Sequence, residues 1–433
     1  MDRVQALFGI AVMVALCWAF STERKAVKWR VVIWGVALQL VLAAVILLPD
    51  IGQDVFAAVD AGVKKLVSFS EAGSNFVFQS VDAHQITRIV TDASGHPELI
   101  PTAIVGAISP PMKTIAFWVL PTVMFFSALM ALFYHFGIMQ KVVGGMARVM
   151  QRSLGTSGAE SLSAAANIFV GQTEAPLLVR PYVKQMTKSE LHSVMVAGFA
   201  TVAGGVMAIY VAVVPIPGIA GHLVTASIMS APAALAVAKL LVPETETPLT
   251  MGSVQVPIER LDQNGIDAIA RGALEGLQLY LNIIAMLIVF YAMVTLVNSL
   301  FGGLGDLVGL KLSLELVLGY AFAPFAWLMG IPWDECLQVG MLLGKKLTLT
   351  ELMAYLDLGQ IQASAHPLSV RTATIVSYGL CGFANFASIG IQIGGIGALA
   401  PERRGELARL GMRAMLGGTI AAMMTGSVAA IFF

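Results

Sequence analysis

The sequence predicts an all-α polytopic membrane protein with eight transmembrane helices, two re-entrant helical hairpins of opposite orientation (an inverted repeat), and interfacial helices. Three observations carry this expectation. Only 12% of the 433 residues are charged and 57% are hydrophobic, with a mean hydropathy of +0.81, whereas soluble chains carry about 25% charge. Apolar runs close to the ~20 residues that span a bilayer recur along the chain. Two further apolar segments are too short to cross, and each holds a glutamate. The 26 basic residues balance 26 acidic ones. This composition excludes a soluble globule, a disordered chain and a nucleic-acid binder relying on bulk positive charge. Cys17, Cys336 and Cys381 lie in apolar stretches without CxxC spacing and read as small buried residues.

The eight spans are 4–21, 31–49, 114–138, 193–214, 219–238, 277–301, 372–398 and 414–433. A nearly neutral leader (Asp2, Arg3) with basic residues after the first span marks an uncleaved helix rather than a signal peptide. Leu191 to Ala238 holds no Asp, Glu, Lys or Arg, and Pro215-Ile216-Pro217-Gly218 divides it by a tight turn. Val55, Val59, Val63 and Leu66, spaced by four and three, predict an amphipathic interfacial helix over 51–70, followed by a polar outer loop with His84 and His96. The connections 22–30, 139–192, 239–276 and 401–413 together carry 17 of the 26 basic residues. They belong on the cytoplasmic face, which places both termini outside. A ninth apolar run, 317–333, is interrupted by Pro324 and Pro332. Crossing there would carry 401–413 outside, so it reads as an interfacial or supporting element.

Residues 161–186 read SLSAAANIFV, GQTEAP, LLVRPYVKQM, and the sequence around 336–357 repeats the plan with CLQVGMLLGKKL, TLTE, LMAYLD. A limb of about ten residues covers only ~15 Å as a helix, half a bilayer. These are the re-entrant hairpins, 155–186 and 334–357. Each is followed by a span with a similar core, Gly198-Phe199-Ala200-Thr201-Val202-Ala203 and Gly382-Phe383-Ala384-Asn385-Phe386-Ala387, and each tip carries Thr-Glu. The chain divides accordingly. Residues 1–112 hold two spans, an interfacial helix and the outer loop; 113–240 form a first repeat; 241–276 form a cytoplasmic connection; 277–433 form a second repeat, inverted relative to the first. Inverted repeats with broken helices meeting near the midplane mark secondary transporters.

A carboxylate inside a membrane costs about 2.5–3.5 kcal/mol even on the lenient insertion scale, so Glu174 and Glu351 are the first functional candidates. Carboxylates accept paired hydrogen bonds from hydroxyl or N–H groups, as sugar diols and nucleobases present. Their bland alternatives are a Thr348–Glu351 capping box and a Glu174–Arg180 ion pair. Asn167, Gln172, Thr173, Asn385 and Ser388 are polar groups in apolar surroundings; interhelical hydrogen bonding is the alternative for each. The limb end Asn167–Val170 facing Thr201–Val202 could supply oxygen ligands to one sodium ion. Lys345 and Lys346 read as snorkelling or paired. Ser157–Glu160 and Thr187–Glu190 read as capping boxes. No Walker motif, HExxH or GxSxG supports an ATP-driven pump or a hydrolase.

At GQTEAPLLVRPY (171–182), MTKSELHSVMVAGFATVAG (186–204), the Glu351 tip and CGFANFASIG (381–390) the sequence resembles the concentrative nucleoside transporter family. The resemblance implies a homotrimeric, sodium-driven nucleoside symporter with no other cofactor, working as an elevator. Its scaffold would be built around the third and sixth spans, and its transport domain would carry both hairpins. By that resemblance Gln172, Thr173 and Glu174 face the nucleobase, with Gly171 and Val206 lining that side. Glu351, Asn385 and Ser388 hold the ribose, with Phe383 nearby. The Asn167 and Thr201 side chains and the Val170 and Val202 carbonyls ligate sodium. Thr201-Val202 stands where the family often has Ser-Ile, which leaves proton coupling as the alternative and the base preference open. The eight-span length resembles bacterial members and implies their inner membrane. Another small polar solute is the remaining carrier reading. Acidic hairpin tips disfavour a dicarboxylate, which should meet Arg, Lys or helix N-termini.

Overall fold

The computed structural model describes residues 2–78, 85–91, 97–104, 114–252, 262–309 and 312–433. His84 and His96 lie outside the described residues. The chain begins with α1 (Asp2–Ala19), α2 (Trp29–Leu47) and α3 (Pro49–Phe78). The amphipathic helix over 51–70 is thus real, and longer than its apolar spacing indicated. The polar loop after α3 contains a difference: β1 (Gln85–Thr91) and β2 (Pro97–Ile104) pair antiparallel, Gln85 opposite Ile104. Ile, Thr and Val crowd β1, and such branched residues suit a pleated strand.

A π-helical turn (Ile115–Val119) leads into α4 (Thr122–His135), followed by α5 (Ile138–Leu154). The first hairpin is α6 (Gly158–Ala166), a tip, a 3-10 turn (Ala175–Val179) and the four-residue α7 (Arg180–Val183). Next come α8 (Lys188–Ala200), α9 (Gly204–Val213) and α10 (Ile219–Leu241). Gly218, at φ 71°, makes the turn foreseen before α10; that left-handed conformation costs glycine nothing. The second half holds α11 (Gly265–Val308), α12 (Leu314–Leu328), α13 (Trp333–Thr348), α14 (Glu351–Gln362), α15 (Val370–Leu380), α16 (Phe386–Leu399) and α17 (Arg404–Phe432).

Among the described residues, six helical stretches are long and apolar enough to cross a membrane: Trp29–Leu47, Ile115–His135, Lys188–Val213, Ile219–Leu241, Gly265–Gly303 and Pro401–Phe432. These coincide with six of the expected spans. The remaining two are the shorter helix α1 and the run 372–398, which the structure divides into α15 and α16. The second hairpin also extends beyond 334–357: its limbs are α13 and α14, ending at Gln362. The 317–333 run is α12, which contains Pro324 and folds back against α13 through a 119° bend.

The four basic connections meet at one end of the bundle. Arg403 donates to the carbonyls of Lys184 (3.0 Å) and Met186 (2.8 Å), and Arg413 to that of Phe20 (2.7 Å). The Thr22 N–H reaches Leu241 O at 3.0 Å, and Arg30 donates to Arg152 O. Both capping boxes form there, Ser157 with Glu160 and Thr187 with Glu190. Their glutamates enter a buried network: Ser157 Oγ donates to Glu190 at 2.5 Å, and Lys239 pairs with Glu160 (2.8 Å) and Glu244 (3.1 Å). A buried lone lysine would be costly, and two carboxylates compensate it. One set of polar contacts thereby anchors the bases of the first hairpin, α8 and α10.

Candidate functional site

Two helix breaks organise the site. α8 stops at Ala200 and α9 starts at Gly204, with Thr201 extended at φ −119° and ψ 168°. A break inside a membrane frees backbone N–H and C=O groups that need new partners. The first hairpin supplies one: the Gly204 N–H donates to Phe169 O at 3.0 Å. A Cβ at Gly204 would lie only 3.2 Å from that oxygen, so glycine permits the approach. The second break, between α15 and α16, runs from Cys381 to Asn385 through its own Gly-Phe-Ala core, and so starts four residues earlier in the repeat than the first. Gly382 takes φ +136°, and a Cβ there would meet Phe199 O at 2.7 Å. The two breaks therefore lie against each other.

Around the second break the polar residues interlock. Asn385 caps α16, its Oδ1 accepting from the Ser388 N–H at 2.9 Å. Its Nδ2 donates to Glu351 Oε2 at 3.1 Å. Tyr210, on α9, donates to Glu351 Oε1 at 2.8 Å. Glu351 is the first residue of α14, buried and placed at the positive end of that helix. The expected Thr348–Glu351 capping box is absent: Thr350 is the cap, accepting from the Met353 N–H, while Thr348 donates to Gly344 O. The helix starts two residues later than that box requires, which leaves Glu351 free for the site. Tyr210 stacks on Tyr355 with ring centroids 4.2 Å apart, and the Tyr355 hydroxyl donates to Ser377 O at 2.6 Å.

The first hairpin reaches the same place. Gln172 Nε2 donates to Ser388 Oγ at 3.1 Å, and Gln172 Oε1 accepts from Gln392 Nε2 at 3.0 Å. Thr173 packs against α16, where a Cβ at Gly395 would fall 2.5 Å from its methyl. Glu174 is exposed and folds back over Gly171, accepting the Thr173 hydroxyl at 3.0 Å. No ion pair joins it to Arg180 among the described residues. Val206 is buried one turn before Tyr210, and Phe383 is half-buried in the second break.

The residues expected from the sequence to ligate an ion lie around the first break. Asn167 is 1% exposed; its Nδ2 donates to Ser163 O at 3.0 Å, and its Oδ1 has no hydrogen-bond partner among the described residues. A buried unpaired carbonyl-type oxygen is costly, and a hard cation relieves that cost. Thr201 Oγ1 donates to Ala197 O at 2.9 Å, which leaves its lone pairs available. Val202 lies in the break itself, and Val170 at the end of the hairpin limb joined to it through Phe169 and Gly204. Oxygen donors without a carboxylate fit a monovalent ion better than a divalent one, whose sites use carboxylates. Lys345 pairs with Asp357 as foreseen, but Lys346 is buried and donates to Gly379 O at 3.0 Å.

Two site residues escaped the sequence reading, Tyr210 and Gln392. Both are hydrogen-bonding side chains in the middle of apolar spans, which was the signal available for them.

Family models described as Na+ dependent nucleoside transporter C-terminus, Na+ dependent nucleoside transporter N-terminus and nucleoside recognition (Gate) match residues 222–430, 8–81 and 116–217. A Bacillus subtilis protein described as the uncharacterized transporter YutK is 40% identical over all of both chains. The human sodium/nucleoside cotransporter 1 is 37% identical over all of this chain and 64% of its own length. The chain belongs to the Na+-dependent nucleoside transporter family. Against the structure of CNTnw in an inward-facing substrate-bound state, the TM-score is 0.87 at 38% identity, covering 100% of this chain and 98% of that one. A doubly substituted CNTnw in an outward-facing state gives 0.86 at 37%, covering 100% and 98%. The family resemblance read from GQTEAPLLVRPY and GFANF thus holds. Members of this nucleoside transporter family are carriers and not enzymes, and solved relatives occupy both inward- and outward-facing states.

Proposed function

We propose that the chain is a nucleoside symporter of the bacterial inner membrane, driven by sodium and working by elevator-type alternating access in a homotrimer, with both termini outside. The observation that carries sodium coupling is the buried Asn167 Oδ1 at the first helix break, which has no hydrogen-bond partner among the described residues. Asn167, Thr201 and the Val170 and Val202 carbonyls hold the ion. Ion binding would tie the first hairpin to α8 and α9, and so set Gln172, Thr173 and Glu174 against the nucleobase beside Gly171 and Val206. Nucleoside affinity then rises with sodium through ordinary linkage.

On the other side Glu351 takes the ribose. Tyr210 and Asn385 each occupy one carboxylate oxygen and leave lone pairs for sugar hydroxyls, with Ser388 as a further partner and Phe383 alongside. Gln172–Ser388, Phe169–Gly204 and the contact of the two breaks link both hairpins into one body, as a moving domain requires. α11 packs closely on α4, where Gly272 and Gly276 leave no room for a Cβ against Ala128 and Met124. Its opposite face exposes Leu274, Leu281 and Ile288, a surface for lipid or a second copy. We assign α4 and α11 to the scaffold.

Reconstituted vesicles test the reading. An inward sodium gradient should drive uridine or adenosine above its external concentration, and choline replacement should abolish this. Accumulation that survives choline and collapses with a protonophore would transfer the coupling to protons.

A further inference from the structure

We propose that Gln392 fixes which end of the Gln172 carboxamide the nucleobase meets, making Gln172 a hydrogen-bond donor to the base. The inference rests on the nucleoside reading of the site and deepens it. Gln392 lies in the middle of α16 and is fully buried. Its Nε2 donates to two oxygens, Met195 O on α8 at 3.1 Å and Gln172 Oε1 at 3.0 Å.

The orientation follows from the backbone. A peptide carbonyl only accepts, so the Gln392 atom facing Met195 O must be the NH2 group. The Gln172 atom facing that same NH2 must then be its oxygen. Turning the Gln392 amide over would set its oxygen against the Met195 carbonyl, a repulsion with nothing to offset it. With its oxygen engaged, Gln172 presents Nε2 towards the site. One hydrogen goes to Ser388 Oγ at 3.1 Å, and the second remains for a ligand. The amide of Asn385 is fixed in the same manner: the Ser388 N–H can only donate, so Asn385 Oδ1 receives it and Nδ2 faces Glu351.

Gly198 makes room for this arrangement. A Cβ there would lie 2.8 Å from Gln392 Nε2 and 2.9 Å from Gln172 Cβ. The base side of the site therefore offers one amide donor beside the Glu174 acceptor. It selects bases that keep an acceptor, a ring nitrogen or a carbonyl oxygen, on the edge turned to Gln172.

Competition of nucleoside uptake in reconstituted vesicles tests this, using adenosine with its 1-, 3- and 7-deaza analogues. Each analogue loses one base acceptor. In the wild-type protein one acceptor deletion should weaken competition about fivefold, the worth of one hydrogen bond. In Gln392→Leu that penalty should shrink below about twofold, because the Gln172 amide is free to turn, whereas general structural damage would weaken all nucleosides alike. Gln392→Met, of similar length and with no donor for Gln172 Oε1, should also erase the penalty. Should the Gln392 variants fail to reach the membrane, Gln172→Leu reads the same donor and should erase the penalty too. A wild-type penalty that persists unchanged in these variants, or no penalty for any analogue, overturns the proposal. Failure of the wild-type protein to take up any nucleoside overturns the underlying reading instead.

Discussion

The two hairpin units use one plan and finish it differently. The first hairpin is short and irregular, with a nine-residue helix, a 3-10 turn and a four-residue helix. Its tip glutamate is exposed, and a buried amide oxygen beside the helix break has no partner among the described residues. The second hairpin is two regular helices of 16 and 12 residues. Its tip glutamate is buried and held by Tyr210 and Asn385. Near its break sits a cation of its own, the Lys346 ammonium on Gly379 O. The first unit thus leaves an acceptor for an ion to satisfy, and the second carries its positive charge covalently. On the proposed function, the difference gives one half of the two-fold design the ion and the other half the ligand groups already held in place.

Substitutions can break or sharpen that contrast. The largest effect is expected from Glu351→Gln, which removes the charge that sugar hydroxyls meet; concentrative uridine or adenosine uptake should fall to background while membrane levels stay normal. Wild-type-like uptake would remove Glu351 from the ribose site. Asn167→Leu should follow, raising the sodium concentration for half-maximal uptake about tenfold or more, equivalent to about 1.4 kcal/mol. An unchanged sodium dependence would place the ion elsewhere. Tyr210→Phe keeps the stack on Tyr355 and removes one hydrogen bond to a carboxylate, worth ~1.5–3 kcal/mol. It should raise the nucleoside KM at least tenfold and leave the sodium response alone. Thr350→Ala is the mildest, since a lost helix cap costs about 1 kcal/mol; thermal stability should drop by a few degrees with transport retained.

Hydropathy and charge made much of this architecture legible. Both hairpins, the Gly218 turn, the Ser157 and Thr187 capping boxes and the paired Gly-Phe-Ala cores follow from local residue chemistry. The limits are as physical. The α15–α16 break falls inside a run that stays apolar, so hydropathy reads 372–398 as continuous, and only the left-handed Gly382 lying against Phe199 shows why it stops. The β1–β2 pair was hidden by the polar residues between its branched ones. Thr348 and Thr350 both satisfy cap chemistry, and packing chose the second. Tyr210 and Gln392 act through partners 141 and 220 residues away in sequence, a distance across which no local pattern reports.

The division of labour between the two units is tested most directly by sodium titration of the purified protein without nucleoside, followed by calorimetry. Wild-type protein and Glu351→Gln should bind sodium equally, and Asn167→Leu about tenfold or more weakly. Loss of sodium binding in Glu351→Gln, or wild-type-like binding in Asn167→Leu, would contradict the assignment of the ion to the first unit and the sugar to the second.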